Sequence, residues 1–158
     1  MDPVLANDRV QIVACTPHPD EAFMVQIARQ MTDADGVLQE QRFLICDRDR
    51  KWSAAVRCVL ESAGVRVVRI PFRAPNCSAH AERFVRSIKE ECLDHLIPLG
   101  ERHLHRALAQ FEAHYHGERN HQGIGNNLID AAGDTCSFGS IRRRQRLGGL
   151  LSYYYRAA

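Results

Sequence analysis

The segment Arg42-Phe43-Leu44-Ile45-Cys46-Asp47 is a short apolar run that ends on an acid. A continuously apolar run of this length is typical of a buried strand in a parallel sheet. Asp47 would then lie at the end of that strand, where open α/β sheets generally place their ligand groups. The next residues, Arg48-Asp49-Arg50-Lys51-Trp52, are mostly basic. Within them, Asp49 is the better candidate for an acid that forms a turn. The alternative to a ligand role for Asp47 is that it caps the turn Arg48-Asp49-Arg50.

The sequence around this segment alternates between strand and helix patterns. Residues 9–15 are rich in β-branched side chains and predict a strand, as do residues 65–70. Apolar residues at helical spacing predict helices over residues 20–31, 53–63, 78–97 and 101–116. From residue 117 onward the chain is rich in turn-forming residues, and we expect it to be extended. Strands that alternate with helices indicate an α/β fold with parallel crossovers.

A second acid, Glu82, follows Asp47 by 35 positions and lies in the first turns of a predicted basic helix. That position is close to the positive end of the helix dipole, which keeps a carboxylate ionised. Carboxylate oxygens are ligands that suit Mg²⁺ or Mn²⁺, and two such ions about 3.5–4 Å apart can clamp both the attacking and the leaving oxygen of a phosphoryl transfer. Because the chain has 19 acids, this spacing is weak evidence without the surrounding residues.

Those surrounding residues resemble the integrase core of retroviral integrases and bacterial insertion-sequence transposases, which carry an Asp-Asp-Glu triad. Asp47 matches the second Asp of the triad and Glu82 matches its Glu. The stretches that support the resemblance are Arg73-Ala74-Pro75-Asn76 and Tyr115-His116-Gly117-Glu118-Arg119-Asn120-His121-Gln122-Gly123. Ser78 departs from the family, in which a typical member has Asn. The resemblance implies that Asp47 and Glu82 are catalytic residues and ligands of Mg²⁺ or Mn²⁺.

The resemblance also implies a ribonuclease H-like fold, with sheet order 3-2-1-4-5 and helices on both faces. Residues 9–15, 42–46 and 65–70 would be strands 3, 4 and 5 of that sheet. Only eight residues precede Arg9, and two strands with a turn need more. We therefore expect an incomplete α/β fold, truncated at the N-terminus, that lacks strands 1 and 2 and the first catalytic Asp. The predicted division is a truncated catalytic core over residues 1–122 and a basic C-terminal tail over residues 123–158.

The helix that carries Glu82 is also the predicted DNA-binding element. Arg86 and Lys89 follow Glu82 by four and seven residues, so all three share one helical face. We expect Arg86 and Lys89 to contact DNA phosphates, although a weak Glu82–Arg86 surface pair would also explain the spacing. Further candidates for DNA contact are Arg83, Arg50 and Lys51.

Three features nearer the C-terminus leave alternatives open. Arg119 and His121 could brace the catalytic helix, contact DNA or belong to a plain loop. The cluster Arg142-Arg143-Arg144-Gln145-Arg146 predicts either nonspecific phosphate contact or a disordered tail. The run Tyr153-Tyr154-Tyr155 is better explained by packing than by stacking on bases.

The distribution of charge favours a polyanionic partner. The net charge of +2 combines balances of −5 over residues 1–40, +5 over residues 41–73, −3 over residues 74–140 and +5 over residues 141–158. Two separated basic segments are typical of a protein that binds nucleic acid, and a solvated basic face is the simpler alternative. The sequence shows no secretory signal and no apolar run near the roughly 20 residues that span a bilayer, so we expect a cytoplasmic protein.

The function that these observations predict is DNA integration and transposition by metal-dependent DNA strand transfer. Because the first catalytic Asp is expected to be absent, we expect the chain to lack activity alone. One alternative is a nonenzymatic DNA-binding or oligomerising remnant that modulates an intact transposase, and another is a nonfunctional gene product. The expected partners are DNA and either intact transposase subunits or further copies of this chain.

Overall fold

The computed structural model describes residues 9–73, 79–130 and 138–157. The chain divides into two units, one of residues 1–12 with 80–158 and the other of residues 13–79. The helices and strands in the described residues are α1 (Glu21–Thr32), β1 (Phe43–Cys46), α2 (Ala54–Ser62), β2 (Arg66–Arg69), α3 (Ala79–Glu91), α4 (Glu101–Gly117), β3 (Ser140–Arg146) and β4 (Leu151–Ala157). This mixture of helices and small sheets confirms the α/β class.

The unit of residues 13–79 contains α1, β1, α2 and β2. Asp20 caps α1 by accepting a hydrogen bond from the backbone N–H of Phe23 at 2.8 Å, and Ser53 caps α2 in the same way. These caps satisfy N–H groups that have no partner inside the helix. The predicted starts of both helices are therefore confirmed. The core of the unit comprises Ala28, Leu38, Val56, Leu60 and Val65, with Leu44 and Val67 packed against it.

The predicted strands at residues 42–46 and 65–70 are confirmed as β1 and β2, which pair in parallel. The expectation that β1 is buried on both faces is wrong. Phe43 is 57% exposed and Ile45 is 59% exposed, whereas Cys46 is buried. Side chains alternate between the faces of a strand, and here the unit's core covers only the face that bears Leu44. In the part of the chain that the structure describes, no other strand pairs with β1 or β2.

The other unit is built around α3 and α4. Its buried apolar residues include an aromatic cluster in which the Phe84 ring lies 5.0 Å from the Tyr115 ring and 6.1 Å from the Phe111 ring, measured between centroids. The predicted helix over residues 101–116 is confirmed. The helix predicted over residues 78–97 ends earlier, at Glu91, and a single 3₁₀ turn follows. The backbone leaves the helical region at Cys92, where φ is −133° and ψ is −65°.

Residues 9–15 do not form the predicted strand. Two of their backbone N–H groups donate to side chains of α4 instead. Val10 donates to Nε2 of His116 at 3.0 Å, and Ile12 donates to a carboxylate oxygen of Glu112 at 3.4 Å. Arg9 adds an ion pair with Asp130 at 3.0 Å. Side-chain acceptors therefore replace the ladder that a neighbouring strand would have supplied.

An antiparallel hairpin of β3 and β4 follows in the same unit, where the sequence suggested no strand. Its register places Ser140 opposite Ala157 and Arg146 opposite Leu151. The hairpin lies within residues 123–158, for which a basic tail was predicted, and the division at residue 122 stays a prediction. Residues 74–76 and Ser78, which entered the family resemblance, lie outside the described residues. Among the described helices, none combines the length and the apolar character needed to cross a membrane.

Candidate nucleic-acid interface

Asp47 lies directly after β1, at the strand end that the sequence predicted, and about half of its side chain is exposed. Its Oδ1 accepts hydrogen bonds from the indole Nε1–H of Trp52 at 2.8 Å and from the backbone N–H of Asp49 at 3.3 Å. Its Oδ2 lies 3.6 Å from Nζ of Lys51. The carboxylate is therefore engaged within its own turn. Asp49 is a turn former as predicted, since it accepts from the N–H of Lys51 at 2.9 Å.

This arrangement makes Asp47 a poor ligand for a divalent cation. A hard cation needs several oxygen ligands, and it is repelled by an ammonium group. Here one carboxylate oxygen receives two N–H donors and the other faces the ammonium group of Lys51. Among residues 9–73, 79–130 and 138–157, no three His, Cys, Asp or Glu side chains group together as metal ligands would. Asp47 and Glu82 belong to different units.

Glu82 lies in the first turn of α3, as predicted, and is exposed. Arg86 and Lys89 are exposed on the same helix, one and two turns further on. Neither forms an ion pair with another described residue, so their charges are available to a polyanion. Arg83 is exposed too, and its guanidinium lies near Gly123. A Cβ atom built on this glycine would lie 3.7 Å from Nη1 of Arg83. Arg50 is exposed in the turn after β1, and Lys51 is partly committed to Asp47.

Two buried side chains and an ion pair hold α3 in place within its unit. Phe84 and Ile88 are buried one turn apart and hold the helix in the core of its unit. At the last residue of α3, Glu91 receives a bidentate ion pair from Arg119, with its shortest contact at 2.7 Å. Of the three alternatives for Arg119, the contact with Glu91 favours the brace. The exposed face with Arg86 and Lys89 is therefore presented by a helix that is held in place.

His121 is buried against the end of α4. Its Nε2 is 2.7 Å from the backbone oxygen of Tyr115, and its ring meets the Tyr115 ring edge-on at 4.6 Å. Arg119 lies over the same aromatic ring at 5.5 Å. Because Tyr115 also contacts Phe84 of α3, the loop after α4 stabilises the helix pair through this tyrosine as well as through the Arg119–Glu91 ion pair.

A buried ionic network around Glu118 was not predicted. Arg146 donates to both carboxylate oxygens of Glu118 at 2.8 and 2.9 Å, and Arg144 donates to one of them at 3.3 Å. On α4, Nδ1 of His114 lies 3.0 Å from the same carboxylate. The His114–Glu118 spacing of one helical turn was visible in the sequence. The two arginines reach Glu118 only because the chain folds back into a hairpin.

The network controls the ionisation of Glu118. Burial alone would raise the pKa of this carboxyl group, but hydrogen bonds from Arg146, His114 and Arg144 outweigh it and lower the pKa to about 2. Glu118 thus stays charged over the whole physiological range. The same hydrogen bonding raises the pKa of Arg146.

Residues 63–127 match the family model of the integrase core domain. This match confirms the resemblance to the integrase core that was read from the sequence. The match includes β2, α3, α4 and the loop that carries Arg119 and His121. It contains Glu82, Arg83, Arg86 and Lys89, whereas Asp47, Arg50 and Lys51 precede it. Searches of curated proteins and of solved structures each found no match.

Proposed function

We propose that this protein acts in DNA integration or transposition by binding DNA through the exposed face of α3. The observation that carries the proposal is the integrase core match over α3, a helix that exposes Arg86 and Lys89. Two cations one turn apart on a fixed helix can contact successive phosphates of a DNA backbone. Such contacts supply affinity without reading the base sequence.

We also propose that the chain alone catalyses little DNA strand transfer. The family resemblance implies a metal-dependent reaction, but the oxygens of Asp47 are held by Trp52, Asp49 and Lys51. We therefore assign Asp47 and Glu82 only weak binding of Mg²⁺ or Mn²⁺. The ribonuclease H-like architecture and the cytoplasmic location read from the sequence are part of the same proposal.

A second candidate function is the modulation of an intact transposase, or self-association, by a protein that catalyses nothing. The exposed apolar side of β1 favours this candidate, because Phe43 and Ile45 are both more than half exposed on a two-stranded sheet. Apolar residues on an open sheet edge are a template for pairing with another chain. The two candidates are compatible, since one uses α3 and the other uses β1.

Duplex DNA binding tests the role of α3. The affinity of the whole chain for a labelled duplex is measured by fluorescence anisotropy between about 50 and 200 mM salt. The double variant Arg86→Gln with Lys89→Gln should bind less tightly, and its slope of log affinity against log salt should be shallower by about two. The matched control is Arg102→Gln with Arg106→Gln, which removes two exposed charges from α4.

The control separates a defined contact from a general effect of net charge. If the α4 pair weakens duplex binding as much as the α3 pair does, the assignment to α3 is wrong. Duplex affinity that does not change with salt would exclude phosphate contacts as its main source and would contradict the proposal.

A further inference from the structure

The hairpin of β3 and β4 presents a face that the proposed function does not use. Residues directly opposite one another in an antiparallel pair share a face of the sheet. One face, called here the outer face, consists of the cross-strand pairs Ile141–Arg156, Arg143–Tyr154 and Gln145–Ser152. The opposite, inner face carries Arg144, Arg146 and Leu151.

The inner face anchors the hairpin to its unit. Arg144 and Arg146 bind the buried carboxylate of Glu118, and Leu151 is 5% exposed. The turn between the strands is held as well, because the backbone N–H of Leu147 donates to the side chain of Gln110 on α4 at 3.1 Å. The outer face is consequently directed to solvent, and Tyr154 at its centre is 62% exposed.

The outer face lies in a segment of uncompensated positive charge. Residues 141–158 contain five arginines and no acid. Glu118 neutralises part of the charge of Arg144 and Arg146. The other three arginines form no ion pair with any residue in the described ranges. Arg143 and Arg156 lie on the outer face, whereas Arg142, opposite Tyr155, lies on the inner face. A surface of this kind attracts a polyanion.

The groups on the outer face are held before any ligand binds. Arg143 donates to Oγ of Ser152 through Nε at 3.2 Å and through Nη2 at 2.8 Å, and its guanidinium carbon lies 5.9 Å from the centre of the Tyr154 ring. Arg156 donates to the backbone oxygen of Gly139 at 3.2 Å. Because these side chains are already restrained, a ligand orders them at a reduced entropic cost.

We propose that the outer face binds single-stranded DNA, with a base stacked on Tyr154 and neighbouring phosphates contacted by Arg143 and Arg156. A single strand offers the π-faces of its bases, whereas a duplex keeps them stacked inside. An exposed aromatic ring among arginines therefore fits a single strand better than a duplex. The site is separate from α3, and the choice of DNA over RNA rests on the proposed function.

The test compares two exposed aromatic residues in the full-length chain. One probe is a labelled single-stranded oligonucleotide of about 20 thymidines, written (dT), and the other is a labelled duplex of about 20 base pairs. This length covers the usual site sizes of single-strand binders. Tyr154→Leu should weaken (dT) binding at least about fivefold and leave duplex binding unchanged. The matched control is Phe138→Leu, since Phe138 is 84% exposed and lies outside both strands; it should leave (dT) binding unchanged.

A second variant keeps the inference testable if Tyr154→Leu disturbs the hairpin. Arg143→Gln should reduce the salt dependence of (dT) binding by about 0.7 in slope, the value for one phosphate contact on a single strand. Urea unfolding of each variant shows whether the fold is retained.

Three outcomes would overturn the inference. The first is an equal loss of (dT) affinity in Tyr154→Leu and Phe138→Leu. The second is unchanged (dT) affinity in Tyr154→Leu and Arg143→Gln variants that remain folded. The third is tighter binding of a uridine oligoribonucleotide than of (dT) of the same length. The duplex probe with the Arg86 and Lys89 variant reports on α3 independently. Failure at α3 and failure at the hairpin therefore give different patterns.

Discussion

The carboxylate of Glu118 lies 2.8 Å from Nη2 of Arg146, and this ion pair joins the end of α4 to β3. Both Nε and Nη2 of the arginine donate, which makes the contact bidentate and more specific in geometry than a single bond. Only 2% of the Glu118 side chain is exposed. The carboxylate of the pair is therefore shielded from solvent, so removing its charge should have a larger effect on stability than removing an exposed charge.

Glu118→Gln should destabilise the protein by about 3 kcal/mol, the lower part of the range for breaking a buried ion pair by removing one partner. The amide keeps the shape of the side chain but cannot balance the charges of Arg146 and Arg144. Urea unfolding at pH 7 measures the loss. Glu101→Gln is the control, since Glu101 is the first residue of α4 and its side chain is 80% exposed. Equal stability of the two variants would show that the network adds little.

The local parts of the fold were readable from the sequence. The beginnings of α1 and α2 follow from Asp20 and Ser53, because an N-cap acts on N–H groups two or three residues away. Glu82 was predicted in the first turns of its helix, and it lies in the first turn of α3. The parallel pairing of β1 with β2 followed from two apolar runs joined by a helix.

The parts that failed depend on contacts between distant residues. Val10 donates to His116, which is 106 residues away, and local alternation cannot distinguish that partner from a neighbouring strand. The hairpin was missed because a run of arginines resembles a solvated segment in the sequence. Its strand character depends on cross-strand pairs such as Arg143 with Tyr154, which only the folded chain brings together. The sequence likewise left open whether Asp47 caps its turn or ligates a metal, and only the folded turn shows that Trp52 and Asp49 donate to it.

Stability should fall as the pH drops below about 6.5, in part because of His116. Burial is the main cause that lowers the pKa of His116, although Asp130 and Glu112 oppose it. A histidine with a lowered folded-state pKa binds its proton more readily when unfolded. Its contribution to stability is complete above the unfolded-state pKa and is lost as the pH falls towards the folded value. Protonation also removes the acceptor for the N–H of Val10.

Urea unfolding at pH 7.5 and pH 5.5 measures this effect. The His116→Gln variant should lose less stability between the two pH values than the unaltered protein does, because glutamine does not titrate. His18→Gln, at an exposed position, should behave like the unaltered protein. Equal pH dependence in all three proteins would rule out His116 as a source.

Asp47→Asn should lower the already weak affinity for Mn²⁺ only slightly. A cation at Asp47 would have to displace the hydrogen bonds from Trp52 and Asp49 and approach the ammonium group of Lys51. Isothermal titration with MnCl₂ measures binding, and a strand-transfer assay with labelled DNA measures activity. Robust Mn²⁺-dependent strand transfer that disappears in Asp47→Asn would show that the carboxylate exchanges its turn donors for metal and that another acid completes the site.

Self-association through β1 should be concentration-dependent and sensitive to Ile45. Phe43 and Ile45 project from the same side of β1 and are 57% and 59% exposed. In the described residues the sheet has only two strands, so each strand has an edge with unpaired backbone groups. A second chain that paired there would cover the apolar side chains and satisfy those groups. Natural proteins block such edges with charged residues, lysine above all.

Ile45→Lys should therefore lower the weight-average sedimentation coefficient at high protein concentration and change stability little. Val85→Lys is the matched control, because Val85 is equally exposed at 60% but lies on α3, where no strand edge is available. It should leave self-association unchanged. If the unaltered chain is a monodisperse monomer with a sharp melt above about 60 °C, beyond most of the usual mesophile range, then the edge of β1 is already protected and the pairing argument is wrong. Ile45→Lys would in that case change neither the sedimentation coefficient nor the melting temperature.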